Sequence, residues 1–233
     1  MKLFELTGQE RSHITQKEGY AIHIEAEADF DKMVAAAKRE GINLKAFSSF
    51  RDFNTQTKIW NRKFTGERPI YDREGVNLDF ASLSRTQILE AILNWSALPG
   101  TSRHHWGTEI DLIDTSLIGT EYQIELLPYE YESGGPFFKL NQWMEANLED
   151  FNFFRPYLKD QSGVAFEPWH VSYYPLSSVA IKELTPSLLK PILEKTYLEG
   201  KDLVLEKLDW IFETYVYHIA KPKKSFALPS ATK

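Results

Sequence analysis

Two short stretches, far apart in the chain, have to meet in any fold this sequence adopts. The first is Ser102-Arg-His104-His105-Trp-Gly107-Thr-Glu109-Ile-Asp111, and the second is Glu167-Pro-Trp169-His170. His104, Asp111 and His170 can offer three ligands to a metal ion, with Glu167 as a nearby base. A catalytic zinc commonly keeps three protein ligands and leaves a fourth position for water. The local sequence limits how the two stretches can be built. Gly107 and the Thr-Glu-Ile run argue for a loop entering a strand. On that strand Glu109 and Asp111 share one face, while Ile110 and Leu112 turn to the core. Glu167 and His170 would lie on opposite faces of a straight strand. Pro168 holds Glu167 extended and favours a bend that lets the two converge.

Spacing alone is a weak signal, because most histidines are structural or simply exposed. His13, His23 and His218 take that reading. So does His105, since the side chains of adjacent residues diverge and His104 already occupies the ligand position. Cysteine is absent from the chain, which excludes disulfides, thiolate metal sites and cysteine nucleophiles. Any zinc must then be held by histidine and carboxylate. The net charge of −6 argues against general affinity for nucleic acid or anionic membranes. No run approaches the length of a membrane-spanning helix. The start, Met1-Lys-Leu-Phe-Glu5-Leu, carries no targeting signal in this reading, since its apolar run is broken by Glu5. The chain reads as soluble and cytoplasmic as it stands, and as periplasmic or extracellular if it is processed or exported by another route. Oligomeric state is not readable.

Periodicity predicts a helix over 28–39, with Phe30, Met33, Val34 and Ala37 on one face, closed by Gly41. A strand follows over 42–47 and a helix over 53–63. Residues 65–80 read as a loop. Ser84 and Gln87 form a capping box that opens a helix ending near Ser96. Strands are expected over 108–113, 122–127 and 171–174. A helix after Gly134-Gly135-Pro136 should carry Leu140, Trp143 and Met144 on one side. Short extended segments are expected at 151–154 and 164–166. Two helical runs, about 186–198 and 201–219, come last. They are expected to form an extension (176–233) packed on a core of residues 1–175, with a loose tail after Lys221.

Ser102-x-His104-x-x-Gly107-x-x-x-Asp111 and Glu167-x-Trp169-His170 closely resemble the SxHxxGxAxD and ExWH motifs of the zinc D-alanyl-D-alanine carboxypeptidases and dipeptidases (VanY- and VanX-like). Ser48-Ser49-Phe50-Arg51 with Gln56 resembles their SxxR segment. The motifs occur in the family's order and cover roughly residues 40–175. The wider superfamily includes endolysins that cut the L-alanyl-D-glutamate bond, and hedgehog signalling domains share its fold. The resemblance implies an α+β fold, with a small antiparallel sheet carrying the metal site and helices packed behind it. It implies zinc on His104, Asp111 and His170, Glu167 as general base and Arg51 near the scissile carbonyl. Ser102, Gln56 and Trp169 would hold substrate, shape the loop or wall the site. The substrate would be a peptidoglycan stem peptide or muropeptide, and Arg103, Arg51 and Arg62 are candidates to grip its carboxylate. Exopeptidase and endopeptidase forms would differ in the loops at 65–80 and 115–135. A binding module that keeps zinc but recognises a partner is the alternative outside enzymes, and the presence of Glu167 and Arg51 weighs against it. One position departs from the family. Glu109 stands where alanine is usual, either accepting a hydrogen bond from a ligand histidine or substrate amine, or lying exposed at the rim.

Overall fold

The computed structural model describes residues 1–119, 121–224 and 226. The chain opens with a short helix, α1 (Leu3–Leu6), and a two-stranded hairpin, β1 (Ile14–Lys17) and β2 (Tyr20–His23). Helix α2 (Glu27–Arg39) follows, then β3 (Leu44–Ser48), α3 (Phe53–Phe64) and α4 (Arg85–Trp95). Strand β4 (Glu109–Asp114) comes next, with α5 (Phe138–Asn147), β5 (Phe153–Phe154) and β6 (His170–Tyr173) after it. The last third is helical: α6 (Tyr174–Glu183), α7 (Pro186–Lys195), α8 (Lys201–Glu206) and α9 (Leu208–Ile211), which runs into a π turn over Phe212–Val216. This is the expected α+β class. Among the described residues, no helix is long and apolar enough to cross a membrane.

The main sheet has the order β3-β4-β6-β5, with every neighbouring pair antiparallel. Ile110, Leu112 and Val171 point to one side of it, where they meet Phe30 and Met33 of α2 and Leu140 and Met144 of α5 in one apolar cluster. A second cluster joins Trp60 and Phe64 of α3, Leu89 and Ile92 of α4, and Leu189, Val204 and Ile211 of the C-terminal helices. The helices after β6 therefore share a core with α3 and α4. Trp60 also donates to the Glu199 carbonyl at 3.1 Å.

Several elements form for the reasons the sequence offers. Ser84 accepts from the Gln87 amide, and Ser84 N donates in return to Gln87 Oε1 at 2.9 Å, so the capping box starts α4. Two expectations need correction, and one helix was not anticipated. Residues 122–127 do not join a sheet. Glu130, fully buried, takes the amides of Glu125 (3.3 Å) and Leu127 (3.0 Å) on its carboxylate, which replaces a partner strand. The extended pieces at 151–154 and 164–166 reduce to the two residues of β5. Helix α6 begins directly after β6 because Pro175 sits in its first turn, where a missing amide costs nothing. The tail expected after Lys221 lies largely outside the described residues.

His13 and His23 are both 7 % exposed, their rings 5.4 Å apart behind the hairpin. Burial pulls His13 down and His23 down to about 4 from an ordinary 6.5. As pH falls below 6.5, the unfolded chain takes up protons at these positions before the folded chain does, so stability must fall. The urea midpoint is expected to drop between pH 6.5 and 5, and His23→Gln to flatten that decline. A midpoint independent of pH over this range would exclude the effect.

Candidate metal centre

The site is assembled by strand register. Asp111 of β4 lies opposite His170 of β6, and Glu109 lies opposite Ser172. A register shift between Ala46 and Ser48 brings Ser48 opposite Asp111, and the chain leaves β3 there toward the centre. His104 comes from a short 3-10 turn, Arg103–Trp106, which ends at Gly107 with φ +66. A Cβ at Gly107 would lie 2.8 Å from the His23 amide nitrogen, so glycine is required both for its conformation and for the close approach. The Pro168-Trp169 turn closes with His170 N donating to Glu167 O at 3.2 Å, which places Glu167 and His170 side by side.

The segments 49–51 and 102–106 are stitched together from both sides. Arg51 N donates to His104 O at 3.1 Å, and His104 Nδ1–H donates to Ser49 O at 2.8 Å. His105 is fully buried: its Nε2 accepts from Gly100 N at 3.1 Å, and its Nδ1–H donates to Arg51 O at 2.6 Å. His105 thus faces away from the centre and fixes the backbone of Arg51.

His104, Asp111 and His170 each offer a ligand atom, all within 4.8 Å of one another, and the three residues are buried. His104 spends Nδ1 on Ser49, so its Nε2 lone pair faces Asp111 Oδ2 at 3.6 Å. His170 donates Nε2–H to Glu109 Oε2 at 2.9 Å, so Nδ1 faces Asp111 Oδ1 at 3.1 Å and Glu167 Oε2 at 3.4 Å. Imidazole lone pairs aimed at carboxylate oxygens repel unless a positive charge sits between them. Burial opposes a charge on His170, yet its bonds to Asp111 and Glu109 outweigh that and draw it up to about 10, so a proton on Nδ1 fills that place when no metal ion does. Burial holds His104 down to about 3, so its imidazole is neutral and ready to ligate. Despite burial, His104 and His170 hold Asp111 down to about 2. A set of two imidazoles and a carboxylate, oriented from behind by a backbone carbonyl and a second carboxylate, fits a divalent zinc-type ion.

Glu109 is fully buried and not at the rim. Besides His170 it accepts from Ser172 Oγ at 2.7 Å and Thr108 Oγ1 at 2.9 Å, and Arg103 lies 3.3 Å away. Burial works against its ionisation, but Arg103 and His170 keep it at about 2. Arg103 is spent inside the protein, bonding Ser172 Oγ at 2.6 Å and lying over the Trp106 ring. Arg62 is exposed beside Glu67 at 3.4 Å. Arg51 bonds Gln56 Oε1 at 2.9 Å and Ser48 Oγ at 3.0 Å, and Gln56 passes its amide to Ala97 O at 2.7 Å. Gln56, fully buried, therefore braces Arg51 and does not line the cavity.

A cavity of about 580 Å³ opens over the centre. Arg51, Ser102, His104, Asp111, Glu167 and Trp169 line it. It also takes in residues that motif reasoning missed: Lys63, Arg68, Tyr71, Ser96, the 123–127 segment and Tyr157. Tyr157 packs on His170 with ring centres 4.9 Å apart, and Trp169 stacks on Trp95 at 6.2 Å. Ile211, Tyr215 and Val216 close the wall from the C-terminal helices.

Replacing Arg103 with Met leaves the buried Glu109 without its fixed counter-charge. The expected loss is about 3 kcal/mol, read as a lower urea midpoint at neutral pH. An unchanged midpoint would mean that His170 alone compensates Glu109.

The family model of VanY, a D-alanyl-D-alanine carboxypeptidase, matches residues 19–176. A Haemophilus influenzae protein with no assigned function is 38 % identical over 121 residues, 51 % of this chain and 92 % of its own length. An Enterococcus faecalis D-alanyl-D-alanine carboxypeptidase is 24 % identical over 158 residues, 66 % of this chain, which spans about half (49 %) of that protein. Among solved structures, the zinc-bound variant of a vancomycin-resistance D,D-pentapeptidase VanY superposes with a TM-score of 0.52 at 24 % identity. It covers 72 % of this chain and 82 % of its own, a likeness of fold.

Proposed function

Because the chain belongs to the VanY family of D-alanyl-D-alanine carboxypeptidases, we propose that it is a zinc-dependent peptidase acting on peptidoglycan stem peptides, of the D-alanyl-D-alanine carboxypeptidase type. One observation carries this reading: three buried ligand groups converge within 4.8 Å, and a fourth acidic group, Glu167, stands 3.4 Å from one of them. In this reading residues 1–175 form the peptidase core, and the helices from 176 onward are an extension packed on it.

His104 Nε2, Asp111 and His170 Nδ1 would hold the zinc. Bound there, zinc supplies Lewis acidity and makes a water deprotonable near neutral pH. Glu167 takes that proton on its carboxylate as water attacks the scissile carbonyl, then delivers it to the departing amine nitrogen. Burial pushes the Glu167 carboxyl up to about 8 against the pull of His170, Lys63 and Arg51, and a divalent cation held beside it would lower it again toward the ionised form that a base needs. Arg51, held by Gln56 and Ser48, places its guanidinium where the carbonyl oxygen gains negative charge, an effect worth about 3 kcal/mol in comparable sites. Trp169 gives a flat apolar wall beside the reacting carbonyl, and Ser102 shapes the loop that carries His104.

Incubation of a stem pentapeptide with zinc-loaded protein, followed by mass spectrometry, tests the reading. Loss of one terminal D-alanine is expected, and internal cleavage would move the chain to the endopeptidase type. Glu167→Gln should keep zinc and lose about a hundredfold or more in turnover. Full activity in that variant would remove Glu167 as the base. Glu109→Ala should weaken zinc binding by about ten- to a hundredfold in a chelator competition, because His170 loses the acceptor that fixes its tautomer. Unaltered zinc affinity would reduce Glu109 to a packing role.

A further inference from the structure

Asp111 and His170 sit on paired rungs of the sheet, His104 is bonded to the 49–51 segment, and Arg51 is braced by Gln56 and Ser48. Glu167 is held in another way. It follows an irregular run, residues 155–166, that joins β5 to the turn before β6. Its own backbone bond, from His170 N at 3.2 Å, closes the turn after it. Where its carboxylate enters the centre therefore depends on what holds the run before it. The contacts that do so come from outside the metal-binding motifs. Arg73, in the 65–80 loop, donates Nη2 to Gln161 O at 2.7 Å and Nη1 to Gly163 O. Nη1 also reaches Asn94 Oδ1 at 3.4 Å, near the end of α4, and Asn94 O accepts from Ala165 N at 2.8 Å. One guanidinium fork thus ties the run to α4. The loop that carries Arg73 is itself anchored. Asp72 Oδ1 takes the amides of Glu74 and Val76 at 3.0 and 2.8 Å, and Trp95 Nε1 donates to Asp72 O at 2.7 Å. A second seat for the run is the π turn of the last helices. Gly163 has φ +85, and a Cβ there would lie 2.2 Å from Thr214 O, so glycine alone allows this approach. Ser162 Oγ meets His218 Nε2 at 3.2 Å, and Ala220 N donates to Pro156 O at 2.9 Å.

Val164 and Glu167 line the cavity, while Arg73 is exposed and lies outside that lining. Arg73 therefore acts through the backbone it holds. We propose that Arg73 is a positioning residue for the general base: by gripping the Gln161 and Gly163 carbonyls against α4 and the π turn, it sets where Glu167 enters the centre. The proposal rests on the peptidase reading. It gives a part in placing the base to a loop outside the motifs and to helices beyond residue 176, where the family match ends. Loss of the guanidinium would release two carbonyls to water at an exposed site, which loosens the run without opening the core. A displacement of about 1 Å in a reacting group can cost about a hundredfold in rate.

The test is a double-mutant cycle on zinc-loaded protein with one stem pentapeptide, using Arg73→Met, Glu167→Gln and the two combined. Arg73→Met should lower kcat by about tenfold and leave KM and zinc affinity unaltered, since no ligand and no part of the lining is touched. Arg73→Lys, which keeps a charged donor, should restore part of the rate. In the Glu167→Gln background Arg73→Met should change nothing further, because the group it positions no longer takes a proton. An equal loss in both backgrounds would overturn the proposal, by showing that Arg73 supports the fold or other groups and not the base. An unaltered kcat in Arg73→Met would overturn it too and leave the peptidase reading standing. Absence of cleavage by the wild type would overturn the peptidase reading, and the proposal with it. Should Arg73→Met fail to fold, Arg73→Gln, which keeps one donor, reads the same cycle. A smaller loss confined to the Glu167 background is then expected, and a loss that persists in Glu167→Gln counts against the proposal.

Discussion

Between β4 and β6 the register sets Asp111 against His170 and Glu109 against Ser172, and the rest of the centre is arranged around those two rungs. Because side chains alternate along a strand, the same pairing that aims Glu109 and Asp111 at the site sends Ile110 and Leu112 into the cluster with α2 and α5. A slip of one residue would bury both carboxylates against that cluster and turn the apolar pair to the cavity. Apolar burial behind the sheet is thus what keeps Asp111 and His170 in place in front of it. His104, which is not on a strand, is secured differently, by reciprocal bonds to the 49–51 segment that also carries Arg51.

Charge organises the space in front of the sheet. Carboxylates and imidazoles are packed at hydrogen-bond distance, so each group's protonation is set by its neighbours. Glu109 is the pivot. It receives the far edge of His170, two hydroxyls and the Arg103 guanidinium, and by staying ionised it dictates which nitrogen His170 turns toward Asp111. The arrangement is a layered one, with a cation behind a carboxylate behind an imidazole, and the open side of the imidazole faces the cavity.

Much of this was legible in the sequence, for identifiable reasons. The helices α2, α3 and α4 carry regular apolar spacing, and α4 has a complete capping box. The β4 alternation and the Pro168 bend follow from local rules, and the motif spacing pointed to the three convergent groups. What could not be read depends on tertiary partners. The alternation over 122–127 looks like a strand, but a single buried carboxylate, Glu130, satisfies its amides. Helix α6 was hidden because Pro175 reads equally well as a break and as a first-turn residue. Arg103 reads in the sequence as a candidate to grip a substrate carboxylate, and only the fold shows it lying against Glu109. Lys63 gave no signal at all: on a helix rich in polar residues nothing marks the one whose end is drawn into a cavity. Glu109 was flagged as a departure from the family, with its burial unresolved until the β4–β6 register was known.

The cavity wall contributed by Ile211, Tyr215 and Val216 lies beyond residue 176, where the family match ends. The enclosure over the centre therefore draws on both sides of that boundary. The motifs and the sheet lie inside the matched segment, and part of the lining lies outside it. Changes in the last helices can reshape the lining without touching His104, Asp111 or His170.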